Sequence, residues 1–382
     1  MRRRLILALV VGGLGACGGR DTVEPPAELI DFEQALDIRQ LWQRKVGRGS
    51  ERLRLGLIPA TDGTRIFAGA RDGTAAAFAV ADGEPLWSTK TDLKLAAGPG
   101  VGGGQVVFGT SDGNLVALDA ETGEVRWQRL VGSEILAAPV VGGSVIVFRG
   151  TDGRLGAVSA ADGSELWSVV QSMPVLTLRG STAPLMVGGT VVAGFDNGRV
   201  AAYNVQDGLT RWERALGTAS GRSEIERLVD VGVDLAIFGS AVYAASFQGR
   251  AAAFDLTTGV ELWPTIDLSS FVGIGVDAER VYVTNDVGAV VALNRQNGME
   301  VWRQDDLRLR DVTAATRVRE TVVVADYDGY LHWLSAADGS FMARARAASS
   351  QISAQPLALG SVVYVQSEDG TITAFEIVDE PA

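Results

Sequence analysis

A single cysteine and a single histidine occur in 382 residues. One thiol can form neither an internal disulfide nor a zinc-thiolate site, so packing and hydrogen bonds must hold the fold. One imidazole leaves no histidine metal cluster and no histidine-assisted acid–base pair. His332, in "GYLHWLS" beside Trp333, is expected to be a packed strand residue. Positive charge is short as well: 34 Lys and Arg against 46 Asp and Glu give a net charge of −12. Such a chain has no bulk attraction for nucleic acid and gains nothing electrostatically from an anionic lipid surface. Beyond the N-terminal segment, no stretch is long and apolar enough to span a membrane.

That segment reads "MRRRLILALVVGGLGAC": three Arg, an apolar run from Leu5 to Val11, then small residues up to Cys17. The layout is that of a secretory signal, too short for a spanning helix. "LGAC" also resembles the lipobox of bacterial lipoproteins. That resemblance implies a signal peptide over residues 1–16 and a lipidated, palmitate-bearing Cys17 as the first mature residue. Multiple acylation gives durable anchoring where one chain does not. Gly18 after the Cys implies sorting to the outer membrane. With Cys17 spent on lipid, no cysteine nucleophile remains. Residues 17–36, with Pro25 and Pro26, read as a tether, and a short helical turn is expected in "AELIDFEQAL".

What the chain has in abundance is glycine, 47 residues, and a repeated sentence. "DGNLVALDAETGEVRW" ends at Trp127, and "DGRLGAVSAADGSELW" ends at Trp167. The closing Trp recurs at Trp42, Trp87, Trp127, Trp167, Trp212, Trp263 and Trp302, and an eighth slot, Ala343, has lost it. Eight opening turns run from Asp72-Gly73 to Asp369-Gly370. A period near forty with Gly-centred turns is a propeller signature. Each unit parses into four strands, as in Ala138–Val141, Val145–Gly150, Leu155–Ser159 and Glu165–Val169. The strands are apolar on both faces, as a blade between two neighbours requires. The Trp is expected to pack between blades. Trp42 has no opening turn before it, and Asp369-Gly370 has no closing Trp after it. The N-terminal strand should therefore complete the C-terminal blade. The expected fold is all-β: an eight-bladed propeller over residues 37–382, four antiparallel strands per blade, closed by both chain ends.

The repeat resembles the PQQ-type propeller repeat of quinoprotein dehydrogenases. Those enzymes carry cofactor- and calcium-binding insertions and an adjacent cysteine pair, none of which is visible here. "GVGGGQ" at Gly100–Gln105 joins two strands and opens no helix, so it is a turn and not a phosphate cradle. No nucleophile constellation stands out, most carboxylates sit at turn positions, and neither cofactor nor metal is expected.

The repeat breaks at two places. "QSMPVLTLRGSTAP", Gln171 to Pro184, and "GTASGRSEIERLVDVGVD", Gly217 to Asp234, lengthen successive joints between blades on one face. Leu176 and Leu178 with Arg179 suit a protein-binding patch. From composition alone they equally suit a loop folded back over the propeller, with Glu224–Leu228 as a solvated helical turn. The lipobox, the eight repeats, "LTLRG" followed by "STAP", "SEIERLVDV" and "DGYLHWLS" together resemble the BamB family over essentially the whole chain. That family comprises lipoprotein subunits of the outer-membrane β-barrel assembly (BAM) machinery. The resemblance implies a non-enzymatic periplasm-facing scaffold, lipid-anchored to the outer membrane. It would dock on the POTRA domains of BamA, beside the other BAM subunits, with unfolded outer-membrane proteins as a further class of contact. It assigns the contact to Leu176, Leu178, Arg179 and Asp230. Where the family has a second Asp, this chain has Gly232, with Asp234 beyond it. Two alternatives stand beside this reading: a periplasmic propeller lipoprotein that binds a ligand or cell-wall component, and a PQQ-dependent dehydrogenase.

Overall fold

Eight four-stranded antiparallel units follow one another along the chain in a computed structural model, which describes residues 24–51, 53–177, 182–217, 231 and 235–378. The third blade is representative: Val140–Gly142, Val145–Arg149, Arg154–Ser159 and Glu165–Val170 pair in chain order from the channel outwards. Its strands fall within two residues of those read from the sequence. The middle strands are buried on both faces because each sheet is covered by a sheet on either side. Turns between second and third strands, and the loops between blades, form one rim, called upper here. The two remaining turns of each blade form the lower rim.

The eighth blade is assembled from both chain ends. Leu357–Leu359, Val362–Gln366 and Thr371–Val378 are followed in space by Asp37–Lys45. Asp37 pairs with Val378 at the lower end, and Lys45 with Thr371 at the upper. Pairing the two ends leaves the ring no mismatched blade edge.

The closing Trp has a fixed place. Nε1–H of Trp42, Trp87, Trp127, Trp167, Trp212 and Trp302 donates to a main-chain carbonyl of the next blade at 2.9–3.1 Å. The indole face lies on a glycine in that blade's turn between third and fourth strands. The contact recurs seven times, from Trp42 on Gly83 to Trp302 on Gly339. These glycines have positive φ, and a Cβ on any of them would lie 2.6–2.7 Å from the ring. Turn geometry and close approach thus both demand Gly. The repeat pairs Trp and Gly because one blade's Trp needs the next blade's Gly.

Two features depart from the reading of the sequence. Gly56–Leu57 adds a short parallel strand to the inner edge of the second blade, beside Leu95–Gly102. A Cβ on Gly56 would lie 2.1 Å from the carbonyl oxygen of Leu136, so this insertion needs glycine. The helical turn expected in Ala27–Leu36 is also absent; this stretch is an extended strap along the outside of the seventh blade. Its main-chain groups are spent across the gap and not within a helix. Ala27 N–H donates to Arg308 O at 2.9 Å, and the N–H groups of Ala35 and Leu36 donate to Met342 O at 2.8 and 3.2 Å. Phe32 stacks on Phe341 with ring centroids 5.2 Å apart.

Candidate functional site

The two enlarged joints meet on the upper rim, as their positions in the repeat implied. Gln171 N–H donates to Gly153 O and Leu216 N–H to Gly198 O, which fixes the start of each loop beside an opening turn. Further along, Thr182 Oγ1 donates to Val231 O, joining the first loop to the second. Both residues are fully buried. Val231 N–H returns to Phe195 O at 3.2 Å. Its side chain packs with Val192, Trp212 and Leu216 between the fourth and fifth blades. Gly194 makes room for it, since a Cβ there would lie 2.6 Å from Val231 Cγ1.

Of the candidate contact residues, Leu176 is 42% exposed, and its neighbour Val175 is 92% exposed. Exposed neighbouring apolar side chains of this kind suit contact with another surface. Leu178, Arg179 and Asp230 lie outside the described residues, as does Cys17. Thr182 and Val231, described on the C-terminal sides of Arg179 and Asp230, are anchored.

A buried ion pair sits at the first of these two joints. Arg149 and Asp196, 1% and 3% exposed, meet at 2.6 Å between the third and fourth blades. The Arg149 guanidinium also lies over the Phe195 ring, 5.5 Å from its centroid. Its Nε and Nη1 have no hydrogen-bond partner among the described residues. A buried pair with unspent donors contributes little net stability, yet removing either partner is costly. The sequence carried a signal for it that went unread. Three residues before each opening turn the repeat places Gly69, Gly109, Gly194, Ala245, Thr284, Ala325 and Gln366, all uncharged. Only the third repeat puts an Arg there. Nearby, Gln171 Nε2 donates to the Tyr203 hydroxyl at 3.1 Å and to Glu213 at 3.0 Å. Burial pushes the Tyr203 hydroxyl above its ordinary pKa, with the Glu213 charge adding to it and the Gln171 bond opposing.

The single histidine is inside the seventh blade. His332 is fully buried; its Nε2 lies 3.0 Å from Asp326, and its Nδ1 accepts from Arg344 Nε at 3.2 Å. Those bonds describe a neutral ring that donates through Nε2. Burial holds its pKa below the usual value, against the opposing pull of Asp326. Asp326 in turn stays below the carboxylate range; burial would raise it, but bonds from His332 and Tyr330 N–H and the Arg310 charge prevail. Arg310 bridges Asp326 and Asp328 at 2.8 and 2.9 Å. The network is structural: no substrate reaches a fully covered imidazole, and its other contacts run to the strap. Among the described residues, no group of three or more His, Cys, Asp or Glu could hold a metal ion.

Comparison with known proteins decides between the readings. The family model described as "Outer membrane protein assembly factor BamB" matches residues 32–112, 71–304 and 288–380. The chain belongs to the BamB family. A relative from Alkalilimnicola ehrlichii, named outer membrane protein assembly factor BamB, is 47% identical over 379 residues. The match spans 99% of this chain and 98% of that one. The crystal structure of BamB from Moraxella catarrhalis superposes with a TM-score of 0.81 at 28% identity, covering 89% of this chain and all of that one. A quinohemoprotein alcohol dehydrogenase from Comamonas testosteroni superposes with a TM-score of 0.71, covering 92% of this chain and 79% of its own, at 13% identity. That likeness is one of fold alone. The family is one of assembly factors, and the dehydrogenase reading falls.

Proposed function

We propose that the protein is a non-enzymatic scaffold of the outer-membrane protein assembly machinery that docks on the periplasmic POTRA domains of BamA. The observation that supports the docking site is the junction of the two enlarged loops through Thr182 and Val231, together with the exposure of Val175 and Leu176 on the first of those loops. Leu176, Leu178, Arg179 and Asp230 form the contact, with Arg179 as its charged anchor. The other BAM subunits belong to the same assembly, and unfolded barrel proteins pass near it. Residues 1–16 are the signal peptide. Cys17 carries the lipid that holds the mature chain to the outer membrane, facing the periplasm, and residues 17–36 form the tether, whose later part is the strap.

The test separates docking from folding. A charge-assisted contact buried by a partner loses about 2–5 kcal/mol when one side is truncated, whereas an exposed rim pair loses under about 1 kcal/mol. Arg179→Ala should therefore weaken binding to isolated POTRA domains more than tenfold, with an unchanged melting curve. Asp230→Ala should have a smaller effect, since Gly232 stands where a second acid would help. Wild-type binding by a Leu176→Ala/Leu178→Ala/Arg179→Ala triple variant would refute this surface, and a collapsed melt would make these residues structural.

A further inference from the structure

The strap fixes where the anchored end of the chain leaves the propeller. The outer strand Asp37–Lys45 starts at the lower rim, where Asp37 meets Val378. Traced back from there, the chain does not continue downward into solvent. It turns and climbs the outer wall of the seventh blade. Leu36 and Ala35 bond to Met342, near the lower end of Phe341–Arg346. Higher up, Arg344 Nη1 donates to Ile30 O at 2.9 Å, and its guanidinium covers the Phe32 ring at 5.0 Å. At the top, Arg310 Nη1 donates to Ala27 O at 3.0 Å, and Arg308 pairs with Glu24. Arg308 and Arg310 stand in the loop between the sixth and seventh blades. Leu309 N–H donates to Val287 O there, and Tyr327 N–H to Arg310 O, both in opening turns of the upper rim. The described chain therefore begins at the rim that carries the enlarged loops.

We propose that this upper rim is the bilayer-facing side of the molecule. The proposal rests on Cys17 being the lipid anchor. From Cys17 to Glu24 the chain takes seven residue steps, which reach at most about 25 Å when fully extended. The strap from Glu24 down to Leu36 takes twelve. The lead is too short to run back along the wall and clear the lower rim, so an anchor at Cys17 draws the upper rim towards the membrane. A partner seated on the enlarged loops is then held on the membrane side of the propeller. The anchor pulls from beside the seventh blade, while the enlarged loops lie about 90–135° further round an eight-fold ring.

The experiment uses the full mature lipoprotein in vesicles of phosphatidylethanolamine and phosphatidylglycerol with an energy acceptor on the headgroups. Cys17 is the only native thiol and is blocked by lipid, so one introduced cysteine takes a donor dye uniquely. Asp306→Cys reports the exposed upper rim beside the seventh blade, and Ala337→Cys reports the exposed lower rim below it. Transfer should fall by half or more from Asp306 to Ala337. Equal transfer, or stronger transfer at Ala337, overturns the orientation. Flotation of the same samples tests the anchor separately. Acylated protein should float with the vesicles and a Cys17→Ser form should not. If both forms float alike, or neither floats, the anchor reading fails and the orientation falls with it.

Discussion

The Trp–Gly contact between blades can be measured as a coupling. Trp127 is 9% exposed, and its Nε1–H donates to Ala160 O at 3.0 Å. Gly163, at φ 71°, lies under the ring, where a Cβ would sit 2.7 Å from Cε3 and 2.8 Å from Cζ3. Gly163→Ala therefore meets two costs. The left-handed backbone costs about 1–2 kcal/mol for an L residue, and forcing a methyl into the filled slot costs about 1–3 kcal/mol more. Gly143 supplies the control in the same blade, since its φ is 62° with nothing within 4 Å of its Cβ site. Gly143→Ala should cost only the backbone part, about 1–2 kcal/mol. Trp127→Ala should cost about 3–5 kcal/mol from lost packing. In that background the ring is gone, so the steric part of Gly163→Ala disappears. The double-mutant cycle should then show a coupling of about 1–3 kcal/mol. Urea unfolding of the four proteins and the Gly143→Ala control reads all of this. If Gly163→Ala costs no more than Gly143→Ala, or if the cycle is additive, the Trp does not require the Gly.

Two further predictions concern buried charge. The folded state holds the His332 pKa below its ordinary 6.5, so as pH falls through about 6.5 the unfolded chain takes up a proton the folded chain refuses. Stability should be flat above that pH and decline below it by up to about 1.4 kcal/mol per unit for this one group. The decline should appear well above the range where Asp326 titrates, and His332→Gln should remove it from the urea midpoints; an unchanged slope in that variant would place the effect elsewhere. Asp196→Ala strands the Arg149 guanidinium and should cost about 3–5 kcal/mol, whereas Arg149→Met/Asp196→Leu should return close to wild type; a double variant as unstable as the single would show that the charges themselves hold the two blades together.

The ring was legible because its punctuation is local. Asp-Gly turns, alternating small apolar strands and the closing Trp each state a conformation within a few residues, and eight copies remove ambiguity. The closure was legible from the orphaned Trp42 and the orphaned turn Asp369-Gly370. The strap was not. Ala27–Leu36 has good helix formers, and what overrules them is a set of arginines and one aromatic, Arg308, Arg310, Arg344 and Phe341, roughly 300 positions away. No local pattern reports a partner at that separation. The strand Gly56–Leu57 is too short to show a period. Arg149 was not legible by itself, since a single Arg at a strand end looks solvated; it departs from the pattern only against the same position in the other seven repeats. The loops carrying Leu176 and Asp230 were visible as interruptions, which the repeat makes conspicuous by its regularity.

The slot at Ala343 is the place where the repeat and the closure conflict. The sequence suggested that the eighth Trp was lost; the structure shows it transposed. In seven blades the third strand places an Ala opposite the Trp, as in Ala77 with Trp87, Ala157 with Trp167 and Ala374 with Trp42. In the seventh blade the pair is reversed: Trp333 on the third strand faces Ala343 on the fourth. The next blade explains why. A Trp at 343 would need the glycine turn between third and fourth strands of the eighth blade, but those strands come from opposite chain ends and no turn joins them. Trp333 sits one strand inwards instead, fully buried and edge-on to Phe375 at 5.9 Å. Leu36 and Ile38, from the N-terminal side, pack on the same cluster. Restoring the common order with Trp333→Ala/Ala343→Trp should therefore not stabilise the protein, although it conforms to the other seven repeats. Trp333→Ala alone should lose about 3–5 kcal/mol. The added Trp finds no glycine ledge and regains little, leaving the double variant at least about 2 kcal/mol below wild type after overpacking. A thermal melt of the swapped protein at or above the wild-type midpoint would show that the slot accepts a Trp without a turn behind it, and the closure would not be the reason for the transposition.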